Sequence, residues 1–338
     1  MSVPLDWLLE EDVSHPGARY FGLIELLDCP AHDPAVVDAR RLVMESGPVP
    51  SILAAQDEGG FWEKPGTGYY PKYRGTVWSI IYLALLGADR SDPRIQAGGD
   101  YLLHNARTKT GAFSLTGTPA GNIHCLAGNL GAALLDLGFL DDPRLMDALE
   151  LMAHYVTGDR LPSSDGAEAE IHYLKSGTCG PGFRCSANNG QPCAWGAVKV
   201  LRALARVPEG RRSPIMAAAL QVTTEFLFSV DPSTGGYPAG YSDKPSRSWF
   251  RFGFPVFYVT DILQTAEALS DAGLGADPRL SATHDLLLGK RDEQGRWRME
   301  YSYHGKTWAD PEPKNKASKW VTLRALRVLK AGGRLDGI

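Results

Sequence analysis

The stretch Gln56-Asp-Glu-Gly-Gly60-Phe-Trp62 decides how the rest of the chain is read. A polar residue is followed by a turn glycine and then an aromatic. The pattern returns as Arg107-x3-Gly111-x-Phe113, Asp231-x3-Gly235-x-Tyr237 and Arg291-x3-Gly295-x-Trp297. Self-similarity at such spacing marks a repeat architecture before any other feature is weighed. Between these turns runs a second echo: Asp33-Pro34, Asp92-Pro93-Arg94, Asp142-Pro143-Arg144, Ser213-Pro214 and Asp277-Pro278-Arg279. Asp or Ser before Pro starts a helix, since the side-chain oxygen caps free N–H groups and proline at the first position forfeits no hydrogen bond.

Working outward, each such start follows a helix-like segment, at 76–86, 125–137, 193–206 and 256–270. The first helix of each pair is apolar nearly all round, as in Trp78-Ser-Ile-Ile-Tyr-Leu-Ala-Leu-Leu86. The second is amphipathic, as in Asp142-Pro-Arg-Leu-Met-Asp-Ala-Leu149. The former belongs inside and the latter outside. The turn glycines are separated by 51, 124 and 60 residues, so the middle gap holds two units, with a degraded turn near Asp165-Gly166. The count is about five hairpins and a last helix over 318–330. Residues 1–48, with Trp7-Leu-Leu-Glu10 and Tyr20-Phe-Gly-Leu-Ile-Glu-Leu-Leu27, read as a helical extension packed on a repeat domain of residues 49–338.

Composition bounds the function. With 338 residues and 43% hydrophobic content the chain can bury a large core. A net charge of -4 leaves no basic surplus for nucleic acid. The longest apolar run, from Val77 to Ala88, is broken by Ser79 and is too short for a membrane span. Acidic Asp6, Glu10, Glu11 and Asp12 stand where a signal peptide would be positive, which predicts a cytoplasmic protein. No phosphate-binding glycine loop or Gly-x-Ser-x-Gly elbow occurs.

The Gln-x3-Gly-x-Trp turns resemble the QW motifs of terpene cyclases of the squalene-cyclase type. The glycine–aromatic turns are also similar to those of protein prenyltransferase β subunits. The resemblance covers roughly residues 50–330 and implies an all-α fold, the α/α-toroid, in which inner and outer helices form concentric layers. It implies an enzyme binding a largely apolar, isoprenoid-like or anionic-apolar small ligand in a central cavity. The Asp-x-Asp-Asp acid of class II cyclases is missing, leaving Asp261, in Tyr258-Val-Thr-Asp261, as a lone candidate acid. Gln191-Pro192-Cys193 resembles the Asp-x-Cys zinc element of prenyltransferases, with Gln191 replacing the acidic ligand. Gly253 stands where that family's zinc histidine is expected.

Five cysteines are an odd number in a chain large enough to fold without staples. Cys125 and Cys193 begin successive inner helices with the same Cys-x2-Gly pattern, as His124-Cys125-Leu-Ala-Gly128 and Pro192-Cys193-Ala-Trp-Gly196. Inner helices of a toroid run parallel, so both thiols are expected at one end of the barrel. Cys179 and Cys185 lie in the glycine-rich loop between them, with His124 and His172 near in sequence. Four thiolates, or three and an imidazole, make a zinc site, with an iron–sulfur cluster or free buried thiols as the alternatives. Cys29 reads as ordinary packing. A second constellation, Arg247-x-Trp249-Phe-Arg251-Phe-Gly-Phe254-Pro, combines aromatic faces with cations, as does Tyr69-Tyr-Pro-Lys72-Tyr-Arg74-Gly. Arg251 is the second catalytic candidate. Trp78, Arg74, Trp195, Trp249, Phe254 and Tyr258 are the candidate substrate-binding residues. The rival class is a non-catalytic helical-repeat scaffold with a structural metal.

Overall fold

Each predicted helix start is a cap. Asp33, Asp92, Asp142 and Asp277 accept the backbone N–H two residues on, at 2.8 to 2.9 Å, and Ser213 accepts from Met216 at 3.2 Å. The computed structural model describes residues 3–159 and 179–335. From these starts the chain builds α1 (Leu5–Leu9), α2 (Pro16–Phe21), α3 (Pro34–Glu45), α4 (Pro48–Ala54), α5 (Thr76–Leu86), α6 (Pro93–Asn105), α7 (His124–Asp136) and α8 (Pro143–Thr157). Then follow α9 (Ala194–Arg206), α10 (Pro214–Leu227), α11 (Ile262–Asp271), α12 (Ser281–Gly289) and α13 (Lys319–Ala331). Strand structure among the described residues is confined to a two-residue ladder, β1 (Cys179–Gly180) against β2 (Arg184–Cys185), and isolated bridges. No helix among the described residues is long and apolar enough to cross a membrane.

Burial sorts the helices into two layers. Ten of the eleven residues of α5 and ten of the thirteen of α13 are buried, against three of twelve in α3 and four of fourteen in α10. Only a helix enclosed on all sides loses that much surface. α5, α7, α9, α11 and α13 pack successively side by side. α2 closes the ring, because Gly17 lies against both the Leu86 carbonyl at the end of α5 and Trp320 of α13. α6, α8, α10 and α12 line the outside.

The repeated turns stitch the layers together. Trp62 Nε1 donates to the Ile52 carbonyl at 2.7 Å, and its backbone N–H donates to Thr76 Oγ1 at 3.1 Å. Trp297 repeats this with Leu287 at 2.8 Å and Thr322 at 3.0 Å, and the Tyr237 hydroxyl reaches Leu227 at 2.8 Å. The leading polar residue closes its turn: Gln56 Nε2 and Arg107 Nε donate to the carbonyls of Gly60 and Gly111 at 3.2 and 2.8 Å. All four turn glycines have φ between 58° and 103°, where a side chain is strained. The degraded turn at Asp165-Gly166 lies outside the described residues.

One element differs from its sequence expectation. The helix expected over 256–270 begins only at Ile262, because the Asp261 carboxylate caps it by accepting from Gln264 N–H at 2.6 Å. Residues 254–258 instead run as irregular chain that carries Phe254, Phe257 and Tyr258 into the ring.

Candidate functional site

The inner helices all run the same way, so their amino ends share one mouth of the ring. There the Tyr69 hydroxyl, from the loop before α5, lies 2.5 Å from that of Tyr258, from the chain before α11. Tyr258 in turn bonds to the Cys125 thiol in the first turn of α7. At the opposite base, Arg206 at the end of α9 binds Asp136 at the end of α7 and Asp271 at the end of α11.

The loop between β2 and α9 brings the cysteines to the mouth. Cys179 and Cys185 face each other across the short ladder. Cys193 precedes α9, and its N–H bonds to the Phe183 carbonyl at 2.8 Å. α7 and α9 approach closely because glycine follows each helix-opening cysteine: a Cβ on Gly128 would stand 2.3 Å from the Lys199 backbone, and one on Gly196 would stand 3.1 Å from His124 Cβ. The shared Cys-x2-Gly pattern is thus a packing device as well as a way of aligning Cys125 with Cys193.

The four thiols have different chemistry. The Cys193 thiol donates to Cys185, and the N–H groups of Ala187 and Asn188 point at the same sulfur, so Cys185 is pulled down to about 6. Cys193, as the donor to that thiolate and largely buried, is pushed up. Burial raises Cys125 to about 11, helped by the charge of Cys185, and raises Cys179 despite the N–H of His124, which donates to its sulfur at 3.3 Å. A thiolate stabilised by a thiol and two backbone N–H groups is the nucleophilic form of cysteine at neutral pH. The His124 ring is buried, kept neutral, and bonded through Nε2 to the Gly180 carbonyl at 2.9 Å. Among the described residues no three His, Cys, Asp or Glu side chains are grouped so as to hold a metal ion. His172 lies outside the described residues.

Beside Cys185 and Cys193 is a pocket of about 310 Å³. Cys185 and Cys193 form one wall, Trp195, Tyr237 and Trp249 supply aromatic faces, and Pro238 and Pro245 add apolar surface. The Asn188 side chain ties the pocket's loops together by donating to the Pro192 and Pro238 carbonyls at 2.9 and 3.0 Å. Small-molecule sites have this make-up, mostly apolar with a few placed polar groups.

Other candidates lie elsewhere. Trp78 and Phe254 are 1% and 2% exposed within an aromatic cluster that also holds Tyr73, Phe257 and Tyr303. Arg74 is on the surface over the Trp308 ring, 5.0 Å from its centre, and Arg251 is exposed. Asp261 is buried as a cap and sits 3.4 Å from Arg324, which also holds Glu267. Gly253 allows the Tyr301 carbonyl to approach: a Cβ there would stand 2.1 Å from that oxygen. Sequence reading passed over Lys199, fully buried on α9 and bonded to Thr260 and Gln264 at 2.5 Å. Its signal was present, a lone cation in the apolar run Ala197-Val-Lys199-Val-Leu201.

Among solved structures the chain is similar to an unsaturated glucuronyl hydrolase specific for heparin, at 12% identity and a TM-score of 0.51, covering 98% of this chain and 86% of that one. The fold is an α/α-toroid. More distant likenesses are to the type II terpene cyclase MstE from Scytonema without ligand, at 12% identity and TM-score 0.32 over 85% of this chain and 97% of that one, and to a protein from Actinoplanes, at 13% and 0.32 over 84% and 97%. No family model and no curated protein matches. At such identities the toroid is shared and the chemistry must be argued from the site.

Proposed function

We propose that this toroid is an enzyme that takes a largely apolar, isoprenoid-like molecule into the mouth pocket and reacts with it through Cys185. The observation that carries the reading is that a cysteine facing a thiol and two backbone N–H groups forms part of the wall of an aromatic pocket. Cys185 is the nucleophile, adding to an electrophilic carbon of the substrate, while Cys193 gives its proton to the heteroatom that gains the electron pair. Trp195 and Trp249 hold the apolar body. Iodoacetamide labelling followed by peptide mapping tests this: Cys185 reacts first, and farnesol, used as an apolar probe, slows its labelling and quenches Trp195 fluorescence. Equal reactivity at all five cysteines, or no effect of farnesol, rejects it.

A second reading is favoured by one observation, that Cys125, Cys179 and Cys193 each lie near enough to interact with Cys185. Four thiols so placed are a donor set suited to zinc if their side chains turn inward, and a closed four-thiolate site would be structural, as in a scaffold. Elemental analysis separates the two. One zinc per chain with unreactive thiols supports the metal, and no metal with a fast Cys185 supports the nucleophile.

A further inference from the structure

The base of the ring holds features that the mouth chemistry does not use. Two adjoining cavities of about 250 and 460 Å³ lie there, and both are bordered by Glu25, Arg202, Arg206 and Arg327. The smaller is lined by four arginines, these three and Arg40, against two acids, Glu25 and Asp136, with Phe21, Ile24 and Leu85 as its apolar side. Its charged lining therefore has a cationic excess.

Three of the four arginines are already engaged. Arg206 binds Asp136 at 2.7 Å and Asp271 at 2.8 Å, Arg40 binds Asp89 at 3.2 Å, and Arg327 pairs with Glu25. The Arg202 side chain, which borders both cavities, makes no hydrogen bond or ion pair among the described residues, although its backbone carbonyl accepts from Arg206 Nη1 at 3.0 Å. Its surroundings withdraw it from water enough to lower it to about 10, so it is still charged at neutral pH. The carboxyl ends of the inner helices face this space, and Arg202 beside them is half-buried, so its guanidinium is open to the cavity. Glu25 projects from a π-helical turn, Gly22–Leu26, a distortion that recurs at functional sites. Lys330 fixes that turn by donating to the carbonyls of Glu25 and Leu26 at 3.0 Å each.

We propose that the basal cavity binds a small organic oxyanion, a carboxylate or phosphate monoester with a short apolar body, on the free guanidinium fork of Arg202. Arg40 lines the same cavity, and Phe21, Ile24 and Leu85 take the apolar part. A planar guanidinium with its donors unused matches a two-oxygen anion and contributes both strength and orientation. The site is separate from the mouth, so this inference does not depend on the Cys185 reading.

The test titrates the full-length protein with butyrate, and separately with phenyl phosphate, by isothermal calorimetry at constant ionic strength set with chloride. Wild type binds at least one of the two, and Arg202→Met weakens that binding about tenfold to a hundredfold. In the absence of ligand, Arg202→Met melts at the same temperature as wild type or higher, because it removes an unpaired charge rather than a contact. Should Arg202→Met not fold, Arg202→Lys keeps the charge without the fork and binds about tenfold more weakly. Binding of neither probe by wild type overturns the proposal, as does an Arg202 variant that folds and binds as wild type does.

Discussion

The Lys199 ammonium donates to the Gln264 side-chain oxygen across the ring, from α9 to α11, with the two atoms 2.5 Å apart and both residues fully buried. Burial pulls Lys199 down to about 7, whereas in the unfolded chain it titrates near its ordinary 10.5. Between these values the unfolded state binds more protons, so folding stability rises with pH through this window, and the penalty of the buried charge is complete below it. From pH 7 to 9 the contribution is about 2 kcal/mol. Above pH 9 the raised Cys125 thiol works in the opposite direction. Urea denaturation at pH 7, 8 and 9 is expected to show wild type gaining stability relative to Lys199→Met; parallel pH curves would reject the assignment.

At the mouth, the Cys193 thiol is the largest cause of the low value of Cys185. Cys193→Ala is expected to move the midpoint of Cys185 alkylation from about 6 toward the ordinary thiol range. Cys29→Ala is the control and leaves it unchanged. The readout is the pH profile of the labelling rate, which a purely structural role for Cys193 would not shift.

The contact of Gly128 with Lys199 makes a graded prediction. Alanine gains about 1 kcal/mol over glycine in helix propensity, but a methyl group 2.3 Å from backbone atoms forces α7 and α9 apart at about 1–3 kcal/mol or more. Gly128→Ala is therefore expected to be destabilising. Gly196→Ala, whose nearest neighbour is a Cβ at 3.1 Å, is close to neutral. Equal melting temperatures for the two variants would contradict this account.

The turn aromatics can be tested one bond at a time. Trp297→Phe removes the indole N–H, one of the two donors to the Leu287 carbonyl, which keeps the Lys290 N–H at 3.1 Å, and is expected to cost about 0.5–1.5 kcal/mol. At position 113, where phenylalanine is already present, Phe113→Leu loses packing only. Chemical denaturation at one pH gives both values, and an unchanged Trp297→Phe would show that the hydrogen bond contributes nothing.

By itself the sequence determined the toroid's parts. Asp-Pro and Ser-Pro caps, glycines at positive φ and the alternation of all-round apolar with amphipathic helices are local signals, and each depends on residues within one turn or one helix. The placing of Cys125 and Cys193 at one end followed from the parallel sense of the inner helices. Tertiary structure decided the rest, because burial and pairing join residues far apart in the chain. Trp78 and Trp195 look alike in sequence, yet one is packed into the aromatic cluster and the other borders a pocket. Asp261 read as a lone acid until Arg324, 63 positions later, was found against it. Arg202 and Arg206 lie one helical turn apart on the same helix, and Asp136 and Asp271 pair with the second, while among the described residues the side chain of the first has no ion pair. Charge on a side chain is written in the sequence, but whether that charge is answered depends on which helix ends the closed ring brings together.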